Sequence, residues 1–265
     1  MKINNPLFLF ILCSLRLNAQ SLPQTTIRLS ENIQLLKTDI LNQIYTLTDD
    51  QYIKKWDREG RLLFQYINNR DGKVSHIDVR NPLQILVFYE DQQRIISLDR
   101  TLSPLQEWTI DKDKWGFISC IAAGKNDQIW LFDRFNYQLG SIHKEGRVER
   151  QKTDLISCCS KPPEINFMAL TDNHLFLFDQ NQGIIKCDIL GQFIQFIPLN
   201  QWQRILTFGN TIWLVNDRNM LEINSNGQIQ ELNVSNNKLD VMGYTNKEIY
   251  YVNGKSEIIT VITYR

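Results

Sequence analysis

The chain has 265 residues, 43% of them apolar and 22% charged, with 29 basic against 29 acidic side chains. These are ordinary values for a globular protein. A formal net charge of zero removes the chain-wide attraction that a nucleic acid or an anionic lipid surface would need, so neither is an expected partner. The length allows one domain or two.

Taken in order, the chain opens with Lys2 and an apolar run from Pro6 to Leu15, followed by Arg16 and the small residue Ala19. The run is too short to cross a bilayer as a helix. Its position and flanks predict a signal peptide over residues 1–20, cleaved before Gln20 or Ser21. Cys13 lacks the small residue before it that a lipoprotein signal needs. The mature chain, residues 21–265, then loses Lys2 and Arg16, leaving 27 basic against 29 acidic groups. No transmembrane span is expected in it.

From residue 43 a short apolar run keeps returning. It reads Gln43–Leu47, Gln84–Phe88, Gln128–Asp133, His174–Phe178, Thr211–Val215 and Glu248–Val252, at spacings of 41, 44, 46, 37 and 37 residues. A period of this length, built from β-branched and aromatic residues, is the sequence mark of a propeller. Each unit resolves into four strands, a to d. In the third, strand a covers 117–123 with small side chains, b covers 128–133, c covers 137–143 and d covers 147–152. Asn42, Asn81, Asn126, Asn173, Asn210 and Asn246 each precede strand b, a place where a residue tolerant of positive φ closes a hairpin. Glycines close the c–d turns at Gly60, Gly146, Gly191 and Gly227. The second unit has Asp99 to Pro104 there and is expected to turn differently.

The last unit lacks a fourth strand, while Thr25–Leu29 is a spare strand-like segment. We therefore expect an all-β, six-bladed β-propeller closed by an N-terminal strand completing the last blade, in a single domain spanning 21–265. Closure removes the unpaired edges of an open array. The repeated b-strand with its D-x-x-G-type turn resembles NHL-like six-bladed propellers. The run Asn81–Tyr89, with Leu98-Asp99-Arg100 after it, is similar to exported propellers of Bacteroidota-type bacteria. The resemblance implies fold and leaves activity open.

No catalytic set stands out. The b–c loops carry Asp49-Asp50, Glu90-Asp91, Asp133-Arg134, Asp179, Asp217-Arg218 and Asn253. Their recurrence in almost every unit reads as turn chemistry rather than a metal ring. His76, His143 and His174 have no nucleophile or acid partner in a local motif. Cys120 and Cys187 read as core residues, and Cys158-Cys159 as adjacent thiols in the long 153–163 connection. No cofactor and no metal is expected. Trp115 and Trp202 fall at d–a connections, and with Arg134, Phe135 and Arg204 they form a candidate contact patch, since Trp, Phe and Arg dominate interface energetics. The other reading of both tryptophans is that they tuck between neighbouring blades. The function expected is a non-catalytic, periplasmic or outer-membrane-associated scaffold that binds another envelope protein. The alternative is a metal-assisted hydrolase or lyase acting on a lactone or glycan.

Overall fold

The computed structural model describes residues 24–28, 32–151, 153–199, 202–216, 220–232, 241–244, 248–253 and 258–263. The expected signal peptide, residues 1–20, lies outside the described residues, as do Asn246 and the Asp217-Arg218 pair.

Every regular element among the described residues is a β-strand. Alternating or continuous runs of Ile, Leu, Val, Phe and Trp favour that state, because branched and aromatic side chains pack well on a pleated surface. The N-terminal strand is β1 (Gln24–Arg28). Four strands then make the first full sheet: β2 (Ile33–Thr38), β3 (Ile44–Thr48), β4 (Ile53–Trp56) and β5 (Leu62–Tyr66). The second holds β6 (His76–Asp78), β7 (Ile85–Tyr89), β8 (Arg94–Leu98) and β9 (Pro104–Thr109). The third holds β10 (Ile118–Ala123), β11 (Ile129–Asp133), β12 (Gln138–Ile142) and β13 (Val148–Arg150). The fourth holds β14 (Ile165–Leu170), β15 (His174–Asp179), β16 (Gly183–Asp188) and β17 (Phe193–Ile197). The fifth holds β18 (Arg204–Phe208), β19 (Thr211–Val215), β20 (Met220–Ile223) and β21 (Ile229–Leu232).

These five sheets are each built from four consecutive strands. The remaining one is composite: β22 (Val241–Tyr244), β23 (Glu248–Asn253) and β24 (Ile258–Thr263) are joined by β1, in the order β22-β23-β24-β1. β1 runs antiparallel to β24, with Gln24 opposite Ile262 and Arg28 opposite Ile258. The spare N-terminal segment thus covers the edge that β24 would otherwise expose.

The sheets pack face to face through apolar wedges. One joins Tyr45, Leu47 and Ile53 to Ile77, Val87 and Ile96. Others link the second sheet to the third, the third to the fourth and the fourth to the fifth. β22 lies beside both β18 and β2. This is the radial arrangement of a propeller, with β2, β6, β10, β14, β18 and β22 innermost.

The turns correct two expectations. Of the Asn residues ahead of strand b, Asn42 (φ 60°) and Asn126 (φ 53°) adopt positive φ. Asn81 instead accepts the Leu83 amide on its side chain at 3.0 Å, and before β19 the left-handed position falls on Gly209 (φ 53°) rather than Asn210. The second unit does not turn differently. Asp99 accepts the amides of Thr101 at 2.7 Å and Ser103 at 2.9 Å, just as Asp188 accepts those of Leu190 and Gln192, both at 2.8 Å. Leu102 (φ 61°) stands where the other turns have glycine. Its side chain is buried in the wedge between the first two sheets, and that burial offsets the backbone strain.

Candidate functional site

All strands a run from the face carrying the d–a and b–c connections to the face carrying the a–b turns. The site lies along the axis they surround, and its two ends differ.

At the a–b end the sequence places Asp78 on β6 and Arg80 two residues later. The Arg80 guanidinium forks onto the Asp78 carboxylate, with Nε to Oδ1 at 3.0 Å and Nη2 to Oδ2 at 2.6 Å. It also donates to the Ala123 carbonyl at 2.8 Å and to the Leu170 carbonyl, at the ends of β10 and β14. Asp78 Oδ2 accepts the Ala123 amide at 2.9 Å. Burial opposes the Asp78 charge, but the Arg80 guanidinium outweighs it and holds the carboxyl well below its usual range. One bidentate pair thus ties three inner strands together at this end.

The opposite end is open. A cavity of about 350 Å³ is lined by residues of four inner strands or their lead-ins, among them Gln34, Lys37, His76, Phe167, Arg204 and Leu206. A second cavity of about 550 Å³ adjoins it through Ser75, His76 and Asn166, and reaches Glu90, Arg134 and Phe135. Lys37 is 7% exposed, with its ammonium 5.2 Å from the centre of the Phe167 ring. Burial lowers its pKa to about 8, against the pull of Asp78 and with the push of Arg80. His76 meets Phe167 edge-on at 5.3 Å, and burial followed by the nearby Lys37 charge lowers its pKa to about 4. It is a neutral imidazole at neutral pH. The sequence reading passed over Lys37 entirely. The available signal was its place in an innermost strand, at the same register as Asp78 in the second unit.

The residues expected to form one contact patch are not all at the surface. Trp115 is 3% exposed and Trp202 is 5% exposed. Trp115 packs in the wedge between the second and third sheets, capped by the Arg150 guanidinium at 4.9 Å. Its ring lies so close over Gly140 that a β-carbon there would collide with it. Trp202 packs between the fourth and fifth sheets, edge-on to Phe178 at 6.2 Å. An indole at a d–a connection has a ready hydrophobic slot between two blades, and burial there outweighs display on the surface. Arg204 borders the axial cavity. Arg134 and Phe135 remain at the surface. The Arg134 guanidinium lies 4.5 Å from the centre of the Phe117 ring and 5.6 Å from that of Phe135, and pairs with Glu90 at 3.6 Å. Phe135 is 64% exposed.

Two of the b–c loop carboxylates, Asp133 and Asp179, hold backbone. Asp133 accepts the amides of Gly116 at 2.7 Å, Phe117 at 3.1 Å and Phe135 at 3.1 Å. Burial opposes its charge, but the Asn136 side chain and these amides hold its carboxyl below the usual range. Asp179 accepts from Glu164, Asn181 and Gln182 in the same manner. Each stitches its own b–c loop to the preceding d–a connection. In the long 153–163 connection, Leu155 is fully buried between the third and fourth sheets and Asp154 accepts the Ile156 amide at 3.0 Å. Cys158 and Cys159 are free thiols, as are Cys120 and Cys187.

No protein family and no curated protein is matched by the sequence. Solved structures do match. A streptogramin B lyase is 17% identical with a TM-score of 0.62, over 92% of this chain and 87% of that one. A Bacteroides thetaiotaomicron protein of unknown function is 11% identical with a TM-score of 0.63, over 92% and 76%. PorZ, a surface component of the type-IX secretion system of Porphyromonas gingivalis, is 10% identical with a TM-score of 0.53, over 90% and 38%. At these identities the likeness establishes what the strand order also shows, that the chain folds as an all-β propeller.

Proposed function

We propose that the protein is an exported, non-catalytic binding module whose d–a and b–c face engages another envelope protein, on a ring of six blades that counts the composite sheet as the sixth. The observation that carries this reading is the Phe117–Arg134–Phe135 stack. It presents an exposed aromatic and a guanidinium side by side at the rim of the 550 Å³ cavity, the residue types that supply interface energy. Export is supported by the N-terminal segment and by the fold shared with a bacterial surface protein. The metal-assisted hydrolase or lyase has less support, because Asp133 and Asp179 already spend their oxygens on backbone amides.

The test is cross-linking on intact cells of the native host, followed by quantification of the partner captured. Phe135→Ala should lower that yield about tenfold, the scale of a hot-spot truncation, and leave the melting temperature unchanged because the ring is exposed. Equal capture by wild type and variant would remove this face from partner binding.

A further inference from the structure

Three buried cations can be compared for how each is neutralised. Arg80 has a carboxylate and two carbonyls. Lys55, 2% exposed, lies 5.1 Å over the Tyr45 ring and donates to the Arg100 carbonyl at 2.8 Å, with Asp39 as a nearby countercharge. Lys37, 7% exposed, also lies over a ring, yet its ammonium has no hydrogen-bond acceptor among the described residues. The nearest carboxylate, Asp78, is claimed by Arg80. Lys37, Asp78 and Arg80 therefore sum to one excess positive charge beside the axis, at the deep end of an open cavity. An ammonium set this far into the protein, with only the cavity to face and no acceptor of its own, is a place where a counterion completes the site.

We propose that the axial cavity is a binding site for an organic monocarboxylate, whose carboxylate pairs with Lys37 and whose apolar body lies against Phe167, Ile205 and Leu206. An ammonium with no acceptor among the described residues matches a single carboxylate. A phosphate dianion would want several donors converging on it, whereas here the ammonium stands beside an aromatic wall. The amide side chains of Gln34, Asn166 and Gln180 line the cavity wall and suit a peptide-like or amide group that follows the carboxylate. The site is independent of the Arg134–Phe135 surface, and Phe135→Ala should leave it intact.

Titration calorimetry on the full chain tests this with a matched pair of probes, N-acetyl-leucine and N-acetyl-leucinamide, which share a body and differ in the charge. The acid should bind and the amide should not. Acetate and inorganic phosphate are further arms: acetate binding as tightly as N-acetyl-leucine points to a small free acid, and the reverse points to a peptide chain end. Lys37→Met should abolish binding while the protein keeps its fold, checked by its melting curve. A pH series on the wild type needs no variant. Above the Lys37 pKa of about 8 the affinity should fall about tenfold per pH unit as the ammonium is lost. Of the other groups facing it, His76 and Asp78 titrate far below this range, and the remaining ones, Arg80 and Arg204, are guanidinium groups. The proposal is overturned if the amide binds as well as the acid, if Lys37→Met still binds, if phosphate alone binds, or if none of the four probes binds at millimolar concentration.

Discussion

Two neighbouring cations beside the axis serve opposite purposes. At the a–b end Arg80 is largely covered and well paired, and its bonds to Asp78, Ala123 and Leu170 fasten β6, β10 and β14 together. Lys37 stands level with Asp78 on its own strand, but its ammonium lies over Phe167 in the lining of the cavity that opens at the other end, with no acceptor among the described residues. A cation with a carboxylate and two carbonyls on its donors holds the ring. One whose donors are unspent costs stability and is available to something else. The difference lies not in burial but in how many acceptors the fold has brought to each group.

Removing each buried cation in turn should expose that difference, because the cost follows the number of acceptors left behind. Arg80→Met strands the Asp78 carboxylate and two carbonyls, and breaking a buried pair from one side costs about 3–5 kcal/mol. Chemical denaturation should show the largest loss here. Lys55→Met strands only the Arg100 carbonyl and relaxes the Asp39 countercharge, so about 1–3 kcal/mol is expected. A loss for Lys55→Met that equals or exceeds that for Arg80→Met would show that the acceptor count is not what governs these sites.

Much of the frame that positions these groups was legible in the sequence. The recurring b-strand run gave the repeat, and the missing last strand pointed to Thr25–Leu29, one residue from β1 as it pairs with β24. Those features are local, or depend on counting strands. What escaped depended on which distant residue fills a neighbouring space. Trp115 could be placed at a d–a connection, but only the assembled wedge shows the indole over Gly140 and beneath Arg150. Leu102 breaks the glycine rule because a pocket between the first two sheets accepts its side chain. Lys37 looks like any lysine near a strand end until Asp78 is seen to be claimed by Arg80, on a different strand.

The smallest of the three effects has the opposite sign. Lys37→Met replaces an unpaired ammonium with an apolar chain of similar length, so at neutral pH it should leave stability unchanged or raise it. The pH dependence gives the sharper measurement. An unfolded lysine holds its proton up to about pH 10.4, whereas in the folded chain Lys37 loses it near pH 8. Between these values the unfolded state binds more protons, so the Lys37 contribution to stability rises with pH. Below pH 8 both states are protonated and the penalty is fully present. Two and a half pKa units set a ceiling of about 3 kcal/mol on that rise. Tyr45 and Tyr89 work against it in the upper part of the range, since burial raises the pKa of each phenol and the unfolded phenols ionise first. The quantity to measure is therefore the difference between wild type and Lys37→Met at each pH, in which the tyrosines cancel. It should be largest below pH 8 and shrink towards pH 10. A difference that stays flat across this window would mean that Lys37 holds its proton as an unfolded lysine does, and the contrast between Lys37 and Arg80 would fall with it.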